Sequence, residues 1–344
     1  VSSWVTEQLG VTTTAQSVEL GLRRNPRRSH LLVSRLLGKH LPVAVSDVLD
    51  AGRALGALVP PGAVVVGFAE TATGLGHAVA AACGGSYAHT TRRVLPAGLV
   101  PVRFLEEHSH ATDQAFAVRD PDLLTGGPLV LVDDEISTGR TAANLARAIG
   151  RPDHVLAALL DTSGTALALE HASVTLPADL ADRVALLAST TPAPQPLSGQ
   201  AATVTWYDVE PMSAAFGWTA DDDAALHKVA AEIAAALPVP ADASTLVLGD
   251  EEHLWLPQLV AAALGPDVRT SSTTRSPAIV LDVEGYPLRS ALAFPSSYST
   301  DPAFAYNVRG FDHVVLVSDG RPSSSLVQQI ACAAELSVHV VAPC

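Results

Sequence analysis

Short apolar runs alternate with segments of helical period along the first half of the chain. Ala63-Val64-Val65-Val66 is a continuous run of the kind that a parallel sheet buries on both faces, and a helix is expected after it near Gly76 to Ala82. Leu129 to Val132 repeats the arrangement, ahead of Ala142, Leu145, Ala146 and Ile149, whose spacing puts them on one helical face. Strands alternating with helices describe βαβ units around a mainly parallel sheet with helices on both faces, an α/β fold. The Pro-rich stretch Thr190 to Gly199 interrupts the pattern and marks the expected boundary between a domain at 1–200 and a second at 201–344. Another helix is expected from about Ala220, because Asp221, Asp222 and Asp223 suit the positive end of a helix dipole.

The same pattern recurs. Val64-Val65-Val66-Gly67 matches Leu246-Val247-Leu248-Gly249, Thr90-Thr91-Arg92 matches Thr273-Thr274-Arg275, Thr112 to Ala117 matches Thr300 to Ala305, and Leu129 to Val132 matches Val314 to Val317. Ordered matches at a nearly constant offset indicate two copies of one α/β unit. The copies diverge after the last of these strands. The first reads Asp133-Asp134-Glu135-Ile136-Ser137-Thr138-Gly139; the second reads Ser318-Asp319-Gly320-Arg321-Pro322-Ser323-Ser324. One carboxylate survives there, and a proline stands where backbone N–H groups would be wanted, so the second copy is degenerate and is expected to assist rather than to catalyse.

Composition narrows the class. A length of 344 residues suits about two domains, and the 48% of hydrophobic residues are spread out, with no run long enough to span a bilayer. The first residues lack a basic segment followed by an apolar run, and Cys83, Cys332 and Cys344 are too few and too scattered for a disulfide framework or a CxxC zinc site; both features lead to a cytoplasmic expectation. A net charge of −14 opposes a nucleic-acid partner. Arg23, Arg24, Arg27 and Arg28 do cluster, and are read as a solvated face or an oligomer contact in preference to a nucleic-acid patch.

The chemistry is concentrated in LVLVDDEISTGRT. Ser137, Thr138 and Thr141 offer hydroxyls, Gly139 lets the backbone come close, and the following helix turns its N–H groups and dipole toward an anion, a set suited to a phosphate monoester. Asp133 and Asp134 suit sugar hydroxyls and the surroundings of a hydrated cation. This apolar strand, acidic pair and hydroxyl-rich glycine turn resemble the type I phosphoribosyltransferases, which use 5-phosphoribosyl 1-diphosphate (PRPP) with Mg2+. The resemblance implies that Asp133 and Asp134 contact the ribose hydroxyls and the metal through water, and that Ser137, Thr138, Gly139, Arg140 and Thr141 hold the 5-phosphate. Glu135 departs mildly from the family pattern and stays within the binding set. No GxxxxGK[ST] string occurs, and Gly74-Leu75-Gly76 lacks the third glycine of a dinucleotide fingerprint.

Other segments follow from the resemblance. The loop at Gly67 to Gly74 occupies the place of the family's diphosphate loop, with Glu70 and Thr71 as its contacts, or else it is a tight turn with a solvated Glu. His89 to Gln114 occupies the place of a mobile flap, where Arg92 or Arg93 would neutralise diphosphate and Glu106, His108 or His110 would accept the acceptor's proton; the alternative is a surface loop with scattered charges. Near the start, Asn25-Pro26 and the segment Val33 to Val43 resemble a narrower group, the orotate phosphoribosyltransferase-like enzymes of tellurite-resistance-associated gene clusters. Their C-terminal domain carries a Thr-Arg-Ser-Pro string, present here at Thr274-Arg275-Ser276-Pro277. Lys39 and His40 are read as hood or phosphate contacts, or as a helix cap at the surface. In the second copy Gly249, Glu251, Glu252 and Thr273 to Ser276 repeat a ligand-facing loop, for a second anion or nucleotide site, a cover over the first site, or packing alone.

The expected function is phosphoribosyl transfer from PRPP to an unidentified, nucleobase-like or aromatic small molecule, by a monomer or homodimer without nucleic-acid or membrane partners. A PRPP- or nucleotide-sensing binding protein and a PRPP synthase-like diphosphokinase are the rival expectations.

Overall fold

A computed structural model describes residues 3–25, 28–105, 113–210, 212–213 and 215–343. The first Val-rich runs become Val64–Gly67 (β1) and Leu129–Ile136 (β3), central strands of a five-stranded parallel sheet with Ser86–His89 (β2), Val155–Asp161 (β4) and Leu167–His171 (β5), in the order β5-β4-β3-β1-β2. Both faces are covered, which is why the runs are continuously apolar rather than alternating. Val65, Val130 and Val132 pack on Leu55, Leu75 and Val79 of the helices Val45–Gly56 (α1) and Thr73–Cys83 (α2). On the other face Val64, Val66, Leu129 and Leu131 meet Leu145 and Ala146 of Arg140–Ala148 (α3), and Phe104 and Phe116 of an antiparallel hairpin that pairs 102–105 with 113–116.

Two boundaries differ from the sequence expectation. β3 continues past Val132 to Ile136, because β4 supplies a hydrogen-bonding partner as far as the Ile136–Asp161 pair and so keeps the acidic residues extended. Helix α2 starts at Thr73 although Gly74 and Gly76 are poor helix formers. A side chain at Gly76 would come within 3.0 Å of the Gly67 Cα, so the close approach of helix to strand favours glycine there.

The second half repeats this architecture. Thr203–Asp208 (β6), Thr245–Gly249 (β7), Arg269–Ser272 (β8), His313–Val317 (β9) and Ser337–Ala342 (β10) form a parallel sheet in the order β6-β10-β9-β7-β8, extended by an antiparallel edge strand, Val43–Ala44, from the first half. The run β10-β9-β7-β8 reproduces β4-β3-β1-β2, and a hairpin pairing 291–295 with 302–306 takes the place of the hairpin at 102–116. Thr91 bridges Ala115 as Thr274 bridges Phe304, so the counterpart of Ala115 is Phe304 and not Ala303. The similarity of letters around Thr112 and Thr300 is therefore one residue out of structural register, because backbone pairing sets the register of a hairpin.

Further helices are Leu180–Thr190 (α4), Ala220–Ala236 (α5), Trp255–Leu264 (α6) and Ser324–Ala331 (α7), beside the short Trp4–Leu9 and a 3-10 turn at Pro121–Thr125. As expected, α5 begins at Ala220, where Thr219 and Asp222 form a capping box. An antiparallel hood hairpin, Val18–Leu22 with His30–Ser34, packs in one core with Leu180 and Val184 of α4 and with Ile279, Tyr286, Leu288 and Tyr306 of the second half. Tyr286 locks this junction: its hydroxyl accepts from the Leu22 N–H at 3.1 Å and donates to the Ile279 carbonyl at 2.7 Å. Among the described residues no helix is long and apolar enough to cross a membrane.

Candidate active site

The far end of β3 carries the acidic pair into a cavity built from six segments. Asp133, Asp134 and Glu135 form one wall. The loop after β1 brings Phe68 to Thr71, the turn of the hood hairpin brings Arg23 and Arg28, and Lys39 and His40 follow the hood. Arg92, just beyond β2, and Ser276, from the second half, complete it. Four carboxylates thus share one space with Arg23, Arg28, Lys39 and Arg92. Such alternation of sign suits a polyanion that arrives with a cation.

Glu70 is the node of this site. It is 2% exposed, so its charge requires partners. Arg275 Nε donates to Oε1 at 2.9 Å, the Thr274 hydroxyl donates to Oε2 at 2.9 Å and the Arg275 N–H donates to Oε2 at 3.2 Å. Lys39 Nζ lies 3.5 Å from Oε2 and Arg92 Nη1 3.7 Å from Oε1. Burial pushes the Glu70 carboxyl up, but Lys39, Arg92 and Arg275 together outweigh it and hold the group well below the usual carboxylate range. Burial lowers the Lys39 amine against the pull of Glu70, and lowers His40 so far that it stays neutral.

A mirror of this arrangement holds Glu252, the counterpart of Glu70. Its Oε2 accepts from the Thr91 hydroxyl at 2.6 Å and its Oε1 from the Arg92 N–H at 2.8 Å. The supporting bonds are duplicated too: Thr90 Oγ1 accepts from the Ala69 N–H at 2.9 Å, and Thr273 Oγ1 from the Glu251 N–H at 2.9 Å. Each half therefore clamps the other's buried carboxylate with its own Thr-Thr-Arg segment, a pseudo-twofold exchange within one chain. Glu251, beside the clamp, is pushed up to about 7 by burial and then by the charge of Glu70.

The glycine turn lies just beyond the acidic pair. Gly139 adopts φ +67°, a left-handed conformation that favours glycine, and leads directly into α3. Ser137, Thr138 and Arg140 are exposed at this helix start, Thr141 is half-buried, and none of the residues 137–141 lines the cavity around Asp133 and Asp134.

The other sequence-expected residues divide. Lys39, His40, Glu70, Thr71, Arg92, Asp133, Asp134 and Glu135 converge on the cavity. The alternatives of a solvated Glu70 and of a surface cap at Lys39 and His40 are overturned, since all three are buried. Thr274 and Arg275 do not line the cavity but hold Glu70. Arg93 points elsewhere: its Nη1 donates to both carboxylate oxygens of Asp319 at 2.8 Å, and its guanidinium lies 3.4 Å from the centroid of the Tyr298 ring. Glu106, His108 and His110 lie outside the described residues. The reading of the arginine cluster as a solvated face is corrected, because Arg23 and Arg28 line the cavity, Arg28 pairs with Glu135, and Arg24 donates to the Ala188 and Thr191 carbonyls. Their only sequence signal was cationic clustering in an acidic chain; folding of the hood over β3 gave it meaning. Ser276 had no signal beyond its place in the Thr-Arg-Ser-Pro string.

A parallel α/β unit with an acidic strand end, a glycine turn at a helix start and a cation-lined cavity defines the phosphoribosyltransferase class. Residues 18–190 match the family model described as phosphoribosyl transferase (PRTase_2), and residues 212–333 match the TRSP domain described as C-terminal to it. The chain belongs to this phosphoribosyl transferase family and carries its TRSP domain. Similar solved structures include adenine phosphoribosyltransferase from Rhodothermus marinus, at 21% identity over 34% of this chain and 66% of that one, with a TM-score of 0.24. Adenine phosphoribosyltransferase from Trypanosoma brucei, in complex with AMP, pyrophosphate and ribose-5-phosphate, is 15% identical over 43% of this chain and 65% of that one, with a TM-score of 0.28. A Staphylococcus aureus hypoxanthine phosphoribosyltransferase is 13% identical over 38% and 72%, with a TM-score of 0.24. The chain thus spans slightly under two thirds of the length of the two adenine phosphoribosyltransferases. Among curated proteins, none matches.

Proposed function

We propose that the protein transfers the 5-phosphoribosyl group of PRPP to a small nucleophilic acceptor, with inversion at C1 and release of diphosphate. The observation that carries this reading is the delivery of Asp133 and Asp134 by β3 into a cavity with Arg23, Arg28, Lys39 and Arg92, just short of a glycine turn at the start of α3. In this reading Asp133 and Asp134 orient the ribose hydroxyls and lie near the positive charge that develops at C1. Residues 137–141 hold the 5-phosphate through hydroxyls and helix N–H groups. Lys39 and Arg92, fixed by Glu70, face the leaving diphosphate, and Thr71 accepts from Lys39 at 3.4 Å. Glu70 is too firmly ionised to carry protons and serves as a positioning residue. Removal of the acceptor's proton is assigned to the segment containing Glu106, His108 and His110.

Buried polar atoms of the lining without a hydrogen-bond partner among the described residues support a ligand rich in oxygen: His40 Nε2 and Ser276 Oγ. Mg2+ fits the same wall. Among the described residues no three His, Cys, Asp or Glu side chains gather as a closed metal cage, and the adjacent carboxylates of Asp133 and Asp134 suit an ion that keeps most of its shell in water and substrate oxygens. When bound, the ion supplies charge that stabilises the departing diphosphate.

Calorimetric titration of PRPP with MgCl2 into wild type and the Asp133→Asn/Asp134→Asn variant tests this reading. Two lost charge-assisted contacts lead us to expect a loss of affinity on the order of 100-fold and turnover lower still. Equal affinity in the two proteins would sink the donor-site assignment.

A further inference from the structure

On the other side of the Thr91–Arg93 segment lies a second cavity, of about 210 Å3, which among the described residues shares no lining residue with the first. Successive residues serve the two spaces: Arg92 lines the first and Arg93 the second. Glu252, His253 and Asp319 line the second cavity as Glu70, Thr71 and Asp134, their counterparts in the repeat, line the first. The second cavity is thus the second half's equivalent of the donor site, rebuilt with different chemistry.

Its floor is aromatic. The His77 ring stacks between Tyr87 and Trp255, with centroids 4.5 and 4.8 Å away, and Trp218 meets it edge-on at 5.7 Å. The first cavity balances four carboxylates with four cations, whereas here carboxylates outnumber the cations. Arg93 is its single cation among the described residues; Asp319 takes up that charge at 2.8 Å, and the Glu252 carboxylate remains, 3.8 Å from Arg93. Burial keeps His77, His89 and His253 neutral. Polar atoms in the walls without a hydrogen-bond partner among the described residues include Thr73 Oγ1, His77 Nδ1, Trp218 Nε1 and His253 Nε2. Thr73 is 3% exposed, so water does not readily supply what the fold withholds.

We propose that this cavity is a second ligand site, which takes a small planar nitrogen heteroaromatic, neutral or cationic and without a phosphate group. The ring lies against the aromatic floor, an N–H edge faces Glu252, and ring or exocyclic heteroatoms meet Thr73 and Trp218. The excess of carboxylate excludes phosphate esters, which separates this site from the donor site and does not depend on whether the first cavity binds PRPP. The volume suits one or two fused rings, below the usual 300–1,000 Å3 or so of sites for larger ligands.

The test is calorimetry on the full chain with 2-aminobenzimidazole and adenine as probes, and with inorganic phosphate as the control. Expected is saturable one-site binding of at least one probe with Kd below about 1 mM. That binding should weaken about five- to tenfold in Trp218→Phe, which keeps the ring but removes the donor, and similarly in Thr73→Val. Melting curves of both variants report whether the fold is intact, and either folded variant decides the matter alone. PRPP with MgCl2, added first, should leave probe binding unchanged. The proposal is overturned by absence of binding for both probes, by unchanged affinity in a folded variant, or by displacement of the bound probe by inorganic phosphate or PRPP.

Discussion

Arg275→Met should uncouple the two halves of the chain while preserving the side chain's apolar stem. Arg275 is 9% exposed, with its Nε 2.9 Å from Glu70 Oε1 and 3.5 Å from Glu251 Oε2. Removing one member of a buried ion pair typically costs about 3–5 kcal/mol, because the remaining charge is left without compensation. Here Lys39 at 3.5 Å, the Thr274 hydroxyl and the backbone N–H still serve Glu70, so a cost of about 2–3 kcal/mol is expected. Glu70→Gln should cost about as much, since it leaves Lys39, Arg92 and Arg275 together without their common counter-ion. Once either partner is gone the second change no longer breaks the Glu70–Arg275 pair, so the double variant should fall short of additivity by about 1.5–3 kcal/mol. Urea unfolding followed by tryptophan fluorescence and by far-UV circular dichroism measures the cycle, and coincidence of the two signals shows whether the halves unfold together. The same variants should bind PRPP more weakly, because Lys39 and Arg92 lose their anchor. A coupling energy below about 0.5 kcal/mol would refute the cross-clamp as an energetic link.

Two further outcomes follow, one from the carboxylate beside this clamp and one from a helix crossing. The Glu251 carboxyl is raised from 4.5 to about 7, so the folded state holds its proton more tightly than the unfolded chain; this contribution is fully present below about pH 4.5 and is lost as pH rises through 7. Glu251→Gln should therefore gain on wild type between pH 4.5 and 7, by at most about 3 kcal/mol, and hold that advantage above; melting temperatures that stay a constant distance apart across this range would contradict it. At the α1–α2 crossing a Cβ on Gly52 would lie 2.4 Å from the Ala78 Cβ, so Gly52→Ala should destabilise by about 1–3 kcal/mol despite alanine's better helix propensity, and a rise in melting temperature would show that the crossing can spread.

The legible parts of the fold were those governed by local periodicity and backbone chemistry. Apolar runs flanked by helical spacing announced β1, β3, α2 and α3, since strands buried on both faces need continuous apolar sequence. Gly139 announced its turn because a left-handed residue favours glycine, and the capping pattern at Thr219 to Asp222 announced α5. The repeat was readable because each copy conserves the same buried positions, although the hairpin register slipped by one residue where similar letters competed with backbone pairing.

What the chain by itself determined, then, was a duplicated parallel α/β architecture, the place of the acidic strand end and the glycine turn after it, and the loss of that chemistry from the second copy. Tertiary structure decided the rest. Only the folded chain brings Arg23 and Arg28 over β3, buries Lys39 and His40, and sends Arg92 and Arg93 to different cavities. The role of the Thr-Arg-Ser-Pro string as a clamp on a carboxylate some 200 residues away was equally invisible in one dimension. The reason is physical: periodicity records how a segment meets its own sheet, whereas a buried charge is stabilised by whichever distant segment folding places beside it.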